Sequence, residues 1–208
     1  MSTKPPIRQR GLSLIELVMF MVIMGVAAVT VLQLLNLSTK ASAEPARRKQ
    51  ALLLAEALME EVQQARFTFC DPSDANAATA TSATVGATGC ATATTVEDFG
   101  PENGESRPYN NVNDYVTASG VAQESFLNGG MLADAAGQPM GGAGTPLTGF
   151  KATVLMEPAT LGPAGMAVVS GAGPSGMEAL HITIDVDYGN GNVTLDGYRT
   201  RYAPRTTD

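Results

Sequence analysis

At 208 residues the chain is long enough for one compact domain plus an appendage, and too short for two large domains. Hydrophobic residues make up 44%, but aromatics are only 5%, with no Trp, so the core is modest and much of the chain is loop. The net charge is −7; Lys4, Arg8 and Arg10 sit in an acid-free stretch of 11 residues, leaving 10 basic against 20 acidic residues elsewhere and no basic patch for nucleic acid.

The first element is apolar. Leu17 to Thr39 reads as 23 residues without a formal charge, and about 20 such residues cross a bilayer as a helix. Leu17 to Leu32 is the strongest part, Gln33 and Asn36 soften the far end, and Gly25 is tolerated because membrane helices use Gly for close contact. Glu16 heads this run. A carboxylate there costs a few kcal/mol to bury, so either it has a functional partner or it marks the headgroup boundary. Lys40, Arg47, Arg48 and Lys49 come after the span as Lys4, Arg8 and Arg10 precede it, so charge asymmetry alone does not orient it.

Gln9-Arg10-Gly11-Leu12-Ser13-Leu14-Ile15-Glu16-Leu17-Val18 resembles the class III signal of type IV prepilins and type II secretion pseudopilins. That signal is a short basic leader ending in Gly, followed by a hydrophobic stretch with Glu at the fifth mature position. The resemblance implies cleavage by a prepilin peptidase between Gly11 and Leu12, N-methylation of Leu12, and a role in assembly for Glu16. Leu12 stands where Phe is commonest. A secretory signal peptide cut near Val26-Ala27-Ala28 would release the protein, whereas a cut at Gly11 keeps the apolar helix as an anchor. The expected organisation is a leader at 1–11, a transmembrane helix at 12–39, an amphipathic continuation at 40–66 and an exported globular head at 67–208.

In the continuation, Ala51, Leu54, Leu58, Val62 and Ala65 recur at helical spacing, with Glu56, Glu60, Glu61 and Gln64 on other faces. Pro45 is expected to kink the helix or to end one helix before another begins. Taken as one bent helix from Leu12 to about Arg66, the element would be on the order of 80 Å long. In the pilin family the upper half of such a helix packs on a sheet.

Cys70 and Cys90 are the only cysteines. In an exported domain such a pair closes a disulfide; in a cytosolic one it would be two buried thiols. They bracket most of a tract at 75–95 with eight Ala and seven Thr, too small-sided for much core. A disulfide here would be a staple and not a redox centre, since the spacing is not Cys-x-x-Cys. Asn110-Asn111-Val112-Asn113-Asp114-Tyr115 looks like a metal or sugar loop, but Asx-rich runs are ordinarily turns, and no metal or other cofactor is expected. Residues 129–176 hold twelve of the 22 glycines and read as loops around one strand, Phe150 to Met156. Leu180 to Tyr188 alternates strictly, with Leu180, Ile182, Ile184 and Val186 inward and His181, Thr183, Asp185 and Asp187 outward. Gly189-Asn190-Gly191-Asn192 signals a hairpin and Val193 to Tyr202 the return strand. His181 beside Asp185 and Asp187 reads as ordinary polarity on a solvated face. The fold class is α+β: a long N-terminal helix packed on an antiparallel sheet with long Gly/Ala/Thr-rich loops.

Shorter segments are similar to minor pilins of the mannose-sensitive haemagglutinin (MSHA) pilus biogenesis system, of its D type. They are Arg48-Lys49-Gln50-Ala51, Ala55 to Val62, Phe67 to Pro72, Gly100-Pro101-Glu102, Asn111 to Tyr115 and Gly197 to Pro204. This resemblance implies a low-abundance filament subunit that primes assembly, caps the tip or modifies adhesion. Its implied partners are the prepilin peptidase, an inner-membrane assembly platform and other major and minor pilins, with the bulk in the periplasm or on the pilus. A pseudopilin of a type II secretion or DNA-uptake system shares the same helix physics, and a membrane-tethered adhesin is a further alternative. A tethered enzyme is not expected: there is no Gly-x-Ser-x-Gly, metal-binding His–Glu motif or phosphate loop, and a single His supplies little acid–base chemistry.

Overall fold

The structure is a computed structural model that describes residues 13–102, 104–141, 147–164, 167–171, 173 and 176–201, with the backbone alone described at 38–43. The chain divides into two compact units, Met1–Ala46 and Arg47–Asp208. Helix α1, Leu14–Gln64, contributes to both. Pro45 lies inside α1 without ending it, so of the two expected outcomes, a kink or a helix end, the helix end is absent. A proline removes only one backbone donor and one intrahelical bond.

In the first unit, every large apolar side chain from Leu14 to Leu37 is exposed, from Leu17 at 46% to Leu14 at 83%. This 24-residue stretch is long and apolar enough to cross a membrane, and none of it is buried within the protein. A core helix of a soluble domain of this hydrophobicity would be buried. Inside the run, the Thr30 hydroxyl donates to the Ala27 carbonyl at 2.8 Å, so its polar group is satisfied within the helix.

In the second unit the distal part of α1 lies over a three-stranded antiparallel sheet, β3 (Lys151–Pro158), β4 (Ala179–Asp187) and β5 (Asn192–Thr200), with β4 central. Ala51, Leu54, Ala55, Leu58, Met59, Val62 and Ala65 form one apolar cluster with Ala152, Val154, Met156, Leu180, Ile182, Ile184 and Val186. The register sets Ile182 between Met156 and Gly197, and Ile184 between Val154 and Leu195. A side chain at Gly197 would come within 2.8 Å of Met59 Sδ and Gln63 Nε2, so the missing Cβ lets the helix lie close to β5. Arg199 Nη2 donates to the Ala65 carbonyl at 3.2 Å beyond the helix end, and Arg47 Nη2 donates to the Gly149 carbonyl at 3.0 Å.

On the opposite face of the sheet, His181 stacks on Tyr198 at 4.8 Å and approaches Asp196 at 2.9 Å, while Asp185 accepts from Asn192 and Thr194. The polar face expected of β4 is therefore present, and His181 faces Asp196 on the neighbouring strand. Two features differ from the sequence-based expectation. A short hairpin, β1 (Leu127–Asn128) with β2 (Met131–Leu132), lies in and just before the stretch read as loop. Glu61, expected off the apolar face, makes a largely buried two-pronged ion pair with Arg107, both contacts at 2.6 Å.

Candidate functional site

Gly11 and Leu12, the residues of the implied cleavage and methylation, lie outside the described residues. Immediately downstream, Ser13 Oγ accepts the Glu16 N–H at 3.3 Å. Glu16 stands exposed in the first turn of α1, next to the positive end of the helix dipole. Its carboxylate is thus presented outward at the head of an apolar helix, with no described side chain burying it.

Cys70 and Cys90 form a disulfide, with Cα atoms 5.5 Å apart. Both are fully buried and, with Ala80, make a small apolar cluster separate from the main core. The small side chains between them leave the backbone to be organised by polar groups. Asp74 does much of this: it accepts from the Asn76 and Ala91 N–H groups and the Thr95 hydroxyl. Hydrogen bonding to Thr95 is the main reason its carboxyl is held below the usual range.

The segment Asn110 to Tyr115, expected to be a turn, is a 3₁₀ turn, Val112–Tyr115, with a reciprocal cap between Asn111 and Asp114. It is also buried: Asn111 and Asn113 are 0% exposed, Asp114 2%. The neighbouring loop folds back on it. Glu97 is 2% exposed and accepts from Asn113 Nδ2 at 3.0 Å, and the Gly100 N–H donates to the Asn113 carbonyl at 3.2 Å. Gly100 has φ +104°, which makes this close return possible without side-chain strain. Asn110 Nδ2 bridges Asp71 and Glu105.

The outcome is a cluster of five carboxyls, Asp71, Glu97, Glu102, Glu105 and Asp114. Oxygen atoms of Asp71, Glu97 and Glu102 lie within 4.8 Å of one another, as do those of Glu102, Glu105 and Asp114. Burial pushes Glu97 up to about 8, with the Glu102 and Asp71 charges adding to it. Burial and the charges of Glu97, Glu102 and Glu105 push Asp114 up to about 9, and burial with the Glu105 and Asp71 charges brings Glu102 to about 7. Glu105 is raised chiefly by burial, whereas hydrogen bonds from Ser73 and Asn110 outweigh burial at Asp71 and lower it. The ion pairs Arg107–Glu61 and His181–Asp196 involve none of these five groups. A cleft of about 270 Å³, lined by Asp71, Ser73, Thr95, Glu102, Glu105 and Asn110, reaches the cluster from outside.

Of the residues singled out in the sequence, the structure joins Cys70 to Cys90 and places Glu16 in the other compact unit. The acidic cluster was not anticipated. Its one sequence signal was the Asx-rich run at 110–114, and the four glutamates and aspartates that meet it carry no recognisable spacing. No protein-family model matches the chain, and neither a curated protein nor a solved structure does.

Proposed function

We propose that the protein is a membrane-anchored type IV pilin-like subunit, made as a prepilin and assembled through its N-terminal helix, of the kind that serves MSHA-type pilus biogenesis. The observation that carries this is the run Gly11-Leu12-Ser13-Leu14-Ile15-Glu16 set directly at the head of a 24-residue, wholly exposed apolar helix. The distal half of α1 packed on an antiparallel sheet supports a pilin-like architecture. The Cys70–Cys90 disulfide supports a head exported from the cytoplasm to an oxidising compartment. On this reading prepilin peptidase cuts after Gly11 and Leu12 is methylated. An inner-membrane platform then passes the chain, held by its single span, into a filament of major and minor pilins. The chain is given no catalytic role.

Glu16 is the assembly residue in this scheme. Cleavage would leave an α-amino cation on Leu12, four residues ahead of the carboxylate. In an apolar filament interior each charge alone costs several kcal/mol, and pairing between staggered subunits removes most of that cost. A lone buried polar pair also fixes axial register, as a buried Asn does in coiled coils. Glu16→Ala is expected to insert and be cleaved normally while its recovery in sheared filaments falls about tenfold or more, the equivalent of about 1.4 kcal/mol. Immunoblotting of membrane and filament fractions reads both quantities. Filament recovery at the wild-type level would reduce Glu16 to a marker of the membrane boundary.

A further inference from the structure

Among the described residues, eight buried side-chain polar atoms lack a hydrogen-bond partner, and six of them are oxygens of one cluster: Glu97 Oε1, Glu102 Oε2, Glu105 Oε2, Asn110 Oδ1, Asn113 Oδ1 and Asp114 Oδ1. The other two are the arginine nitrogens Arg47 Nε and Arg199 Nε. Buried acceptors are nearly always satisfied in folded proteins, because an orphan loses its hydration with nothing in return. Glu97, Asn113 and Asp114 are each at least 98% buried, being 2%, 0% and 2% exposed, so bulk water does not meet this demand.

The geometry points to a calcium ion bound in this cluster, centred on Glu102 and held by oxygens of Glu97, Glu105, Asn113 and Asp114, with Asp71 at the edge. Oxygens bound at 2.3–2.6 Å to a common ion lie at most about 5 Å apart, and both carboxylate triads that share Glu102 fall within 4.8 Å. Protons alone would neutralise the carboxyls, yet the amide oxygens of Asn110 and Asn113 would still compete for the few O–H donors that result. A cation here would coordinate the carboxylates together with the amide oxygen of Asn113 and offset the like-charge crowding. The donors are all oxygen. The single histidine is engaged with Asp196 and the two cysteines with each other, so the set lacks the nitrogen and sulfur ligands that favour zinc or copper. Many donors on an irregular loop suit calcium better than magnesium, which demands a near-ideal octahedron and retains its waters. The cleft at Asp71, Glu102 and Glu105 supplies the path of entry. Binding would tie the 97–105 loop to the Val112–Tyr115 turn and to the residue after Cys70, fixing one side of the head.

The test uses the full chain in detergent, stripped with EGTA and then given CaCl₂ or MgCl₂ at about 5 mM. For an affinity of about 10⁻⁴ M, calcium is expected to raise Tm by about 5 °C or more, and magnesium by clearly less. Terbium, a calcium surrogate, should luminesce through Tyr109 and Tyr115, which lie at the cluster, and excess calcium should quench the signal. Glu102→Gln removes a charge from a crowded site. In EGTA it should therefore be at least as stable as the wild type, while its terbium signal falls about tenfold. Glu60→Gln, on an exposed position of α1, should leave both responses intact. A wild-type Tm that calcium does not move, or an equal calcium shift in Glu102→Gln, would overturn the assignment.

Discussion

Glu61→Ala is expected to cost about 3–5 kcal/mol, because it leaves a largely buried guanidinium without a counter-ion. Arg107 grips Glu61 through Nε and Nη2, both at 2.6 Å, and the two side chains are only 10% and 11% exposed. Tyr115 donates to the same carboxylate at 2.9 Å, Arg107 Nη1 reaches the Phe126 carbonyl at 3.1 Å, and the guanidinium lies 5.0 Å from the Phe126 ring. Burial, reinforced by the Glu61 charge, pushes the Tyr115 hydroxyl well above its usual range, so it stays a donor. The network thus binds α1 to the loop running from Arg107 to Phe126. Against a total stability of about 5–15 kcal/mol, the loss should appear as a fall of roughly 10 °C in Tm. Replacing both partners, as Glu61→Met with Arg107→Met, should restore most of the stability, since no charge is then stranded. A drop below about 1 kcal/mol for Glu61→Ala would mean that water reaches Arg107.

Removing both cysteines as Cys70→Ala with Cys90→Ala is expected to cost about 3 kcal/mol. The disulfide closes a loop with a sequence separation of 20, and the chain-entropy model assigns about that amount to such a loop. The physical setting strengthens the expectation. The segment it closes has few large side chains, and its apolar cluster of Cys70, Ala80 and Cys90 is separate from the main core. Without the crosslink this segment should open well before the rest, as weakly packed units do. Limited proteolysis should accordingly cut the double variant within 75–95 while the wild type resists, and denaturant unfolding should show the stability difference. Equal protease resistance would show that the Asp74 hydrogen bonds alone hold the loop.

Several elements were legible because their signals are local. The period of two from Leu180 to Val186 defined β4 and its buried face, and the Gly-Asn-Gly-Asn turn after Tyr188 signalled the hairpin that joins β4 to β5. The apolar run and the helical spacing from Ala51 to Ala65 defined both parts of α1. The features that escaped depend on distant partners. Glu61 lies at the edge of the apolar face, three residues after Leu58 and four before Ala65, and only Arg107, 46 residues on, supplies the counter-ion that lets its charge be buried. The β1–β2 hairpin has two residues per strand, too few for periodicity. The acidic cluster draws on Asp71, beside a disulfide, on a Gly- and Pro-containing loop and on a 3₁₀ turn, so no window of sequence contains it. The Asx-rich run reads as a local turn and is one, but its burial comes from Glu97 and Gly100 folding over it.

Everything proposed for the helix depends on where the mature chain begins. The deciding measurement is intact-mass analysis with N-terminal sequencing of protein extracted from the membranes of cells that possess a prepilin peptidase. The account predicts a chain that starts at Leu12, carries an N-methyl group, and keeps the whole Leu14–Leu37 span. A mature N-terminus near Val29, after a secretory cut at Val26-Ala27-Ala28, would contradict it, because the protein would then lose Glu16 and most of its anchor.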